Sequence, residues 1–495
     1  MRTTVALLCA LICPVSAAAA ADSVDAQAQA LLAKHTAYVG WQFGDGTFRT
    51  MRITGAVSDD KGKPDTAFVL LYDGLLFHNT YTDLKRGGSK EHIGFTGNLF
   101  WQTNANGFTV PIYGDYAKFL ASETVLLNEG TTELPGTYRG TKTVDGKATG
   151  IVRVALTNGD TIDLYVDPDT GAYVQATIDP DGAYETTFHI RSYQEVVPGK
   201  KMMATYTEDD DSSVHALTKF EPNLTVSNDD LHPPPQVASW TFGDGSPFPF
   251  TMTHTRMAVD ATVNGVKGKF ILDTGADGIV FDDRFASRAN LPSVASDSAY
   301  MIYGEVKTRL RKTQTIAIGN ATLHDALVYS QDFGNGEDGD IRSEGYDGLL
   351  GYDVFAGTVV RLNVYDSTMA ILDPNTDLSG EKGLAVTVDL SGGSPIVPMT
   401  LNKSIPVSAM LDTGSPGLIF FGPDLMKKYH FATFNGCANI DTLAIGPIVY
   451  TDESACQYGL SADYMLVGFD FLRHFDFVFD YPHGRMFMTP NKNKN

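Results

Sequence analysis

The chain of 495 residues has few basic residues, only four cysteines and no long apolar run beyond its start. Lys and Arg total 37 against 59 Asp and Glu, which gives a formal net charge of −22. Such an acidic chain repels nucleic acid and anionic membrane surfaces, so we expect neither as a partner. No later segment has the ~20 apolar residues of a membrane span. The histidines lack the spacing of metal ligands, and we expect no metal and no organic cofactor.

The start of the chain has the pattern of a secretory signal. Met1 and Arg2 provide a positive beginning, residues 5–15 are apolar, and residues 16–21 are small. This pattern predicts a signal peptide over residues 1–21, with an uncleaved anchor as the alternative. We therefore expect a periplasmic or secreted protein.

Removal of this signal leaves only two cysteines in the mature chain, Cys437 and Cys456. A single pair in an exported chain predicts a disulfide, because the compartments outside the cytoplasm are oxidising. Two buried free thiols are the alternative.

The mature chain is predicted to be mostly β and to contain several units. Apolar residues make up 43% of the sequence and charged residues 19%, which is enough to bury large cores. A helical start is followed by strands that alternate apolar and polar residues, with Gly- and Asp-rich turns between them. A proline-rich stretch then precedes a second set of strands. The predicted units are an antiparallel β domain with one helix (22–225), a linker (226–250) and two β lobes (251–375 and 376–495).

The most informative feature is a segment that occurs twice. Residues 271–281 and 410–420 align without a gap at an offset of 139, and each contains an Asp-Thr-Gly turn between apolar runs. Glycine permits a sharp turn and a close backbone approach. Two carboxylates brought together cannot both ionise, so they share one proton. The duplication predicts a paired site of Asp273 and Asp412, and two unrelated Asx turns are the alternative.

An apolar-apolar-Gly segment follows each turn, at Leu349-Leu350-Gly351 and at Leu466-Val467-Gly468. With these motifs the chain resembles aspartic peptidases of the pepsin and retropepsin type, above all bacterial single-chain proteins with two retropepsin-like repeats. The resemblance covers about residues 245–490. It implies a bilobal acid-protease β fold and a hydrolase that cleaves polypeptide substrates with water activated by the two aspartates. Supporting roles are implied for the rest of both turns: Thr274, Gly275, Ala276, Thr413, Gly414 and Ser415.

Three finer expectations accompany this resemblance. A stretch similar to the Tyr-Gly flap of pepsin-like members makes Tyr303 the expected flap residue, with a core tyrosine as the alternative. The Ser415 hydroxyl is expected to donate to Asp412 and to favour its charged form, whereas Ala276 has no hydroxyl to offer Asp273. Because both turns follow the linker, the lobes are expected to fold and act without the amino-terminal unit.

The amino-terminal unit resembles the half-barrel of outer-membrane lipoprotein carriers, in its helix, its strands and the run from Leu164 to Val174. That resemblance implies a lipid or lipoprotein partner, and a rigid spacer or docking module is the alternative. We therefore expect the complete chain to be an exported aspartic endopeptidase. The alternative is a non-catalytic periplasmic binding protein that uses the concavity of the amino-terminal unit. The retained aspartate pair favours the peptidase, because a binding module needs neither carboxylate.

Overall fold

The computed structural model describes residues 25–491 except positions 181, 183, 210, 254, 302–303, 335–338, 432 and 458–463. The predicted signal peptide, residues 1–21, and the predicted flap residue Tyr303 lie outside the described residues. The described chain is mostly β, as the sequence predicts, and forms three open sheets and one closed barrel. Among the described residues, no helix combines the length and the apolar character that crossing a membrane requires.

The amino-terminal unit is a half-barrel built from one 13-stranded antiparallel sheet. Neighbouring strands are consecutive in the chain, with one exception: the first strand also pairs with the last, so residues 50–58 lie beside residues 214–222. Its strands are β1 (Thr50–Ser58), β2 (Pro64–Asp73), β3 (Leu76–Asp83), β4 (Ser89–Phe95), β5 (Phe100–Thr103), β6 (Thr109–Ile112), β7 (Gly136–Val144), β8 (Lys147–Ala155), β9 (Thr161–Val166), β10 (Tyr173–Ile178), β11 (Thr186–Val197), β12 (Lys200–Glu208) and β13 (Val214–Pro222).

Two helices, α1 (Ala26–Val39) and α2 (Gly114–Leu127), bury their apolar faces against this sheet. Asp25 caps α1, because its carboxylate accepts hydrogen bonds from two amides of the first turn. Gly40 ends the helix in the left-handed conformation that glycine adopts without strain. Short 3-10 turns follow at Gly130–Glu133 and at Asp229–Leu231.

Lobe 1 is organised around an 11-stranded sheet in which β18 and β25 run parallel. Its elements are β14 (Ser239–Phe242), β15 (Phe248–Pro249), β16 (Thr251–Met252), β17 (Met257–Val263), β18 (Val266–Leu272), β19 (Val280–Asp282), α3 (Asp283–Arg288), β20 (Ser293–Met301), β21 (Gly304–Lys312), β22 (Thr315–Ile318), β23 (Ala321–His324), β24 (Leu327–Gln331), α4 (Gly339–Ser343), β25 (Gly348–Leu350), α5 (Tyr352–Ala356), β26 (Val359–Asn363) and β27 (Thr368–Leu372).

Lobe 2 contains a closed six-stranded barrel, and a six-stranded sheet joins the two lobes where β26 pairs with β35. Its elements are β28 (Leu384–Thr387), β29 (Ile396–Leu401), β30 (Ile405–Leu411), β31 (Ile419–Phe421), α6 (Pro423–Lys428), β32 (Cys437–Ile445), β33 (Ile448–Gln457), β34 (Met465–Val467), α7 (Phe469–Leu472), β35 (Phe475–Asp480), a 3-10 turn (Tyr481–His483) and β36 (Arg485–Pro490). Cys437 and Cys456 lie opposite each other on β32 and β33 and form the predicted disulfide.

The hairpin of β5 and β6 leaves the half-barrel and enters the core of the lobes. Phe108 and Val110 are fully buried in the same hydrophobic cluster as residues of both lobes. The Asn106 carbonyl accepts hydrogen bonds from the amides of Val237 and Ala238, each at 3.0 Å. This shared core argues against the expectation that the lobes fold without the amino-terminal unit. The boundaries drawn at 225 and 250 stay predictions.

Candidate active site

Each Asp-Thr-Gly turn follows directly on a strand that a second strand holds in parallel. In lobe 1, β18 pairs with β25, and the Asp273 amide donates to the Leu350 carbonyl at 3.0 Å. In lobe 2, β30 pairs with β34, and the Asp412 amide donates to the Val467 carbonyl at 2.9 Å. The strand that follows each turn pairs with the other edge of the same short strand: β19 pairs with β25 in lobe 1, and β31 pairs with β34 in lobe 2. The apolar-Gly segments therefore fix where both aspartates lie.

The two turns are joined by a reciprocal set of hydrogen bonds between their threonines. The Thr274 hydroxyl donates to the Leu411 carbonyl at 2.6 Å, and the Thr413 hydroxyl donates to the Leu272 carbonyl at 2.8 Å. Each threonine amide also donates to the other hydroxyl at 3.0 Å. Both threonines are almost fully buried, so these bonds are shielded from water. They hold the two turns face to face across the lobe boundary.

The glycines of the turns let the two carboxylates approach. A methyl group at Gly275 would overlap the carboxyl group of Asp412, and one at Gly414 would overlap that of Asp273. Alanine at either position would therefore push the opposite aspartate away. Glycine is therefore required at both positions because each glycine lies against the aspartate of the other lobe.

The paired carboxyl groups have raised pKa values. Asp273 keeps part of its surface open to the cleft, yet burial raises its pKa well above the ordinary value, and the charge of Asp412 and a hydrogen bond with it add to the effect. Burial also raises the pKa of Asp412, but the Gly414 amide, the bond from Asp273 and the Ser415 amide lower it. The pair therefore holds one proton, mainly on Asp273.

The same direction was expected from the sequence, but its cause differs. In the described structure Ser415 donates to Asp412 through its backbone amide at 3.1 Å, and Ala276 donates in the same way to Asp273 at 3.1 Å. The Ser415 hydroxyl thus does not distinguish the two aspartates. Arg256 of lobe 1 does, because its buried guanidinium donates to the Gly414 carbonyl and its positive charge favours ionised Asp412.

A second buried carboxylate, Asp353, supports the turn of lobe 1. One of its oxygens accepts from the Ile279 amide at 3.0 Å, just beyond the turn. The other accepts from the side-chain amides of Asn104 and Asn106, each at 2.7 Å. Burial raises the pKa of Asp353 to about 6, although the bonds from Asn106, Ile279 and Asn104 lower it. The amino-terminal unit thus contacts the residue that supports the Asp-Thr-Gly turn of lobe 1.

The structure brings together most of the residues that the sequence singled out. Both aspartates, both threonines, both glycines, Ala276 and Ser415 lie at the junction of the two lobes. Sequence analysis missed Arg256 and the pair Asn104 and Asn106. Asp353 had a detectable signal, because an Asp follows the apolar-Gly segment in both halves, as Asp353 and Asp470. The asparagines had none, since their contacts span more than 240 positions of the chain.

Part of one of these halves matches a protein-family model. Residues 259–354 match the family model of aspartyl proteases. This family match supports a hydrolase of the peptidase class. The matched stretch lies within lobe 1, so the role of lobe 2 rests on the repeated turn and on the geometry above. No curated protein matches the sequence.

Two solved structures are similar to parts of the chain. One is an aspartic proteinase from Irpex lacteus, which is 14% identical, with a TM-score of 0.36 and coverage of 50% of this chain and 97% of that one. The other is a DUF1329 family protein from Desulfovibrio piger, which is 14% identical, with a TM-score of 0.31 and coverage of 43% of this chain and 98% of that one. Neither similarity adds to the functional argument at these TM-scores.

Proposed function

We propose that this protein is an aspartic endopeptidase in which Asp273 and Asp412 activate water for peptide-bond hydrolysis. The observation that carries the proposal is the reciprocal bonding of Thr274 and Thr413, which holds the two turns against each other. A pair of carboxyl groups that shares one proton contains an acid and a base at the same place. The family match over residues 259–354 supports the same function.

The proposed reaction uses the two aspartates in different roles. Ionised Asp412 takes a proton from water while the water oxygen attacks the carbon of the scissile carbonyl. Protonated Asp273 gives its proton to the carbonyl oxygen, so a neutral tetrahedral gem-diol forms and Asp412 becomes protonated. Asp412 then protonates the amide nitrogen as the C–N bond breaks. Asp273 recovers its proton from the diol, and the pair returns to its starting state with one proton.

We also propose that the chain is exported, to the periplasm or beyond the cell. The signal pattern of residues 1–21 motivates this, and the disulfide between Cys437 and Cys456 supports it because such bonds persist in oxidising compartments. Fusion of residues 1–21 to a reporter that folds only after export would test it. Retention of the reporter in the cytoplasm would contradict the proposal. Lipid or lipoprotein binding by the half-barrel stays a prediction.

Replacement of either aspartate tests the catalytic proposal. Asp273→Asn and Asp412→Asn each keep the size of the side chain but remove one of the two acid-base groups. We expect each to lower kcat/KM on a peptide library by at least about a hundredfold, the usual contribution of general acid-base catalysis. Asp441→Asn, which changes an exposed carboxylate on β32, is the matched control and keeps full activity.

Two further observations decide between the peptidase and the non-catalytic binding protein. Pepstatin, a peptide inhibitor that imitates the tetrahedral intermediate, is expected to block cleavage by the unaltered chain. Cleavage that survives either substitution, after contaminating peptidases have been excluded, would show that the aspartates do not act as a pair. Complete absence of cleavage from acidic to neutral pH in the unaltered chain would favour the binding protein.

A further inference from the structure

A cavity of about 370 Å³ lies where the amino-terminal unit meets the two lobes. Tyr81, Glu91 and Tyr116 line it from the half-barrel, Asp277 and Tyr352 line it from lobe 1, and residues 391–393 line it from lobe 2. A cavity of this size with aromatic walls and a few polar groups is typical of a binding site. Since all three units contribute to it, none of them provides the site alone.

The catalytic turn itself forms one wall of this cavity. Asp277 belongs to the turn of lobe 1, four positions after Asp273. Gly393, which also lines the cavity, lies so close to Asp277 that a methyl group on it would be 3.1 Å from the Asp277 β-carbon. The next residue, Ser394, donates its hydroxyl to the Gly275 carbonyl at 3.1 Å. Asp277 therefore links this cavity to the turn that holds Asp273.

Two carboxylates face the cavity from opposite walls. Glu91 comes from β4 and Asp277 from the catalytic turn, and in the described part of the chain neither side chain has a hydrogen bond or an ion pair. Arg86 also lines the cavity and is the cationic neighbour of Glu91, but it is already held by an ion pair to Asp83 at 3.5 Å and by a hydrogen bond to the Tyr329 hydroxyl at 3.3 Å.

The surroundings of Glu91 show that its charge is poorly compensated. Although Glu91 is exposed, the loss of water around its carboxylate raises its pKa; Arg86 lowers it, and the charges of Asp83 and Asp277 raise it further. Two like charges across a confined space repel each other, and a cation between them relieves that repulsion. The tyrosines suit the same ligand, because aromatic faces accept the alkyl stem and the positive end of Lys or Arg.

We propose that this cavity is a substrate subsite for a cationic nitrogen group, which lies between Glu91 and Asp277. The proposal rests on the peptidase function proposed above and adds a substrate class to it: peptides with a positive group at one position near the scissile bond. The group belongs to the side chain of Lys or Arg, or to the free amino terminus of the substrate. The amino-terminal unit is then a part of the substrate-binding cleft.

Peptides that differ in one charge test the subsite in the full chain. The set has a single Lys moved through the positions on both sides of one cleaved bond, in an otherwise neutral sequence, with Gln in its place as the reference. Each peptide is made with a free and with an acetylated amino terminus. We expect one Lys position, or the free amino terminus, to raise kcat/KM about three- to fivefold, because both carboxylates are exposed and an exposed ion pair contributes modestly.

Glu91→Gln is the decisive variant, because it removes the charge and keeps the shape. It is expected to reduce that preference, measured as the ratio of kcat/KM for the charged and the neutral peptide, to about twofold or less. Glu133→Gln, which alters an exposed carboxylate of the same unit outside the cavity, is the control and keeps the preference. Equal cleavage of charged and neutral peptides, or a preference that survives Glu91→Gln, would overturn the subsite.

Binding to the Asp412→Asn chain separates this proposal from the proposed function. Fluorescence anisotropy with the labelled basic and neutral peptides measures affinity without cleavage. Tighter binding of the basic peptide, lost when Glu91→Gln is added, supports the subsite even if the unaltered chain cleaves nothing. Cleavage without any charge preference and with equal affinities would leave the peptidase standing and reject the subsite.

Discussion

In lobe 1 the Asp-Thr-Gly turn rests on Asp353, which is buried and accepts three hydrogen bonds, two of them from the amino-terminal unit. In lobe 2 the corresponding residue is Asp470, which is partly exposed. The parts that meet at the lobe boundary, the turns and their threonines, are nearly identical in the two halves. The supports behind them differ. The two halves are thus alike where they contact each other and differ in the residues that support each turn.

The second difference concerns how each lobe is stabilised. Both lobes share a hydrophobic core with Phe108 and Val110 of the amino-terminal unit. Lobe 1 has in addition the hydrogen bonds from two asparagines of that unit to Asp353, whereas lobe 2 closes its own barrel and ties two adjacent strands together with the disulfide between Cys437 and Cys456. The added support of lobe 1 therefore comes from a distant part of the chain, and that of lobe 2 from a covalent bond within itself. Substitutions in each support should separate the two.

The largest effect is expected from the support of lobe 1. The side-chain amide of Asn106 donates to Asp353 and to the Leu327 carbonyl, and its side-chain oxygen accepts from the Leu327 amide. Asn106→Ala removes one of the three donors of buried Asp353 and both of these bonds to the Leu327 backbone, so we expect the free energy of unfolding to fall by about 3–5 kcal/mol. Denaturant unfolding of the full chain measures this.

Asn439→Ala on β32 is the control for that substitution, because Asn439 is exposed in lobe 2. It should change the free energy of unfolding by less than about 0.5 kcal/mol. Equal effects of the two substitutions would show that the contact between the hairpin and Asp353 does not stabilise lobe 1. The comparison of the lobes would then lose its main support.

A somewhat smaller effect is expected from the support of lobe 2. The disulfide closes a loop with a sequence separation of 19 residues. In the chain-entropy model a loop of this length stabilises the folded chain by about 3 kcal/mol. Replacing both Cys437 and Cys456 by Ala should lower the free energy of unfolding by that order, measured beside the oxidised chain. Addition of a reductant to the unaltered chain should have a similar effect, and to the variant none.

The smallest predicted effect concerns the pH dependence of peptide cleavage. Ionised Asp412 is the proposed base, so activity falls on the acid side as Asp412 becomes protonated. The Arg256 charge favours ionised Asp412 and lowers its pKa, so Arg256→Met should raise that pKa and move the acid limb of the rate profile to higher pH. A shift of about half a unit to one unit is expected.

Ser415→Ala is the matched comparison, because the structure gives Asp412 the Ser415 amide and not its hydroxyl. Its acid limb should coincide with that of the unaltered chain within about 0.2 units. A shift from Ser415→Ala equal to or larger than that from Arg256→Met would restore the hydroxyl as the source of the asymmetry. A loss of rate at all pH values without any shift would give Arg256 a purely structural role.

The sequence alone determined the β character of the chain, the two facing aspartates and the disulfide pair. Each of these leaves a local pattern: alternation of residues along strands, an Asp-Thr-Gly turn that occurs twice, and an even cysteine count after a start that has the pattern of a signal. The apolar-Gly segments also placed the strands that hold the turns. A motif that repeats at a fixed offset can be recognised from the sequence alone.

Only the tertiary structure decided what surrounds the pair. Asn104 and Asn106 meet Asp353, and Glu91 faces Asp277, across separations of roughly 190 to 250 positions. No periodicity or turn signal encodes such a contact, because it depends on how separate sheets pack. The contact of Arg256 with the Gly414 carbonyl could not be predicted either, since a single Arg before a strand is common and carries no signal of its partner. Burial then gives these charges their effect, because a carboxylate removed from water responds to neighbours that an exposed one would scarcely feel.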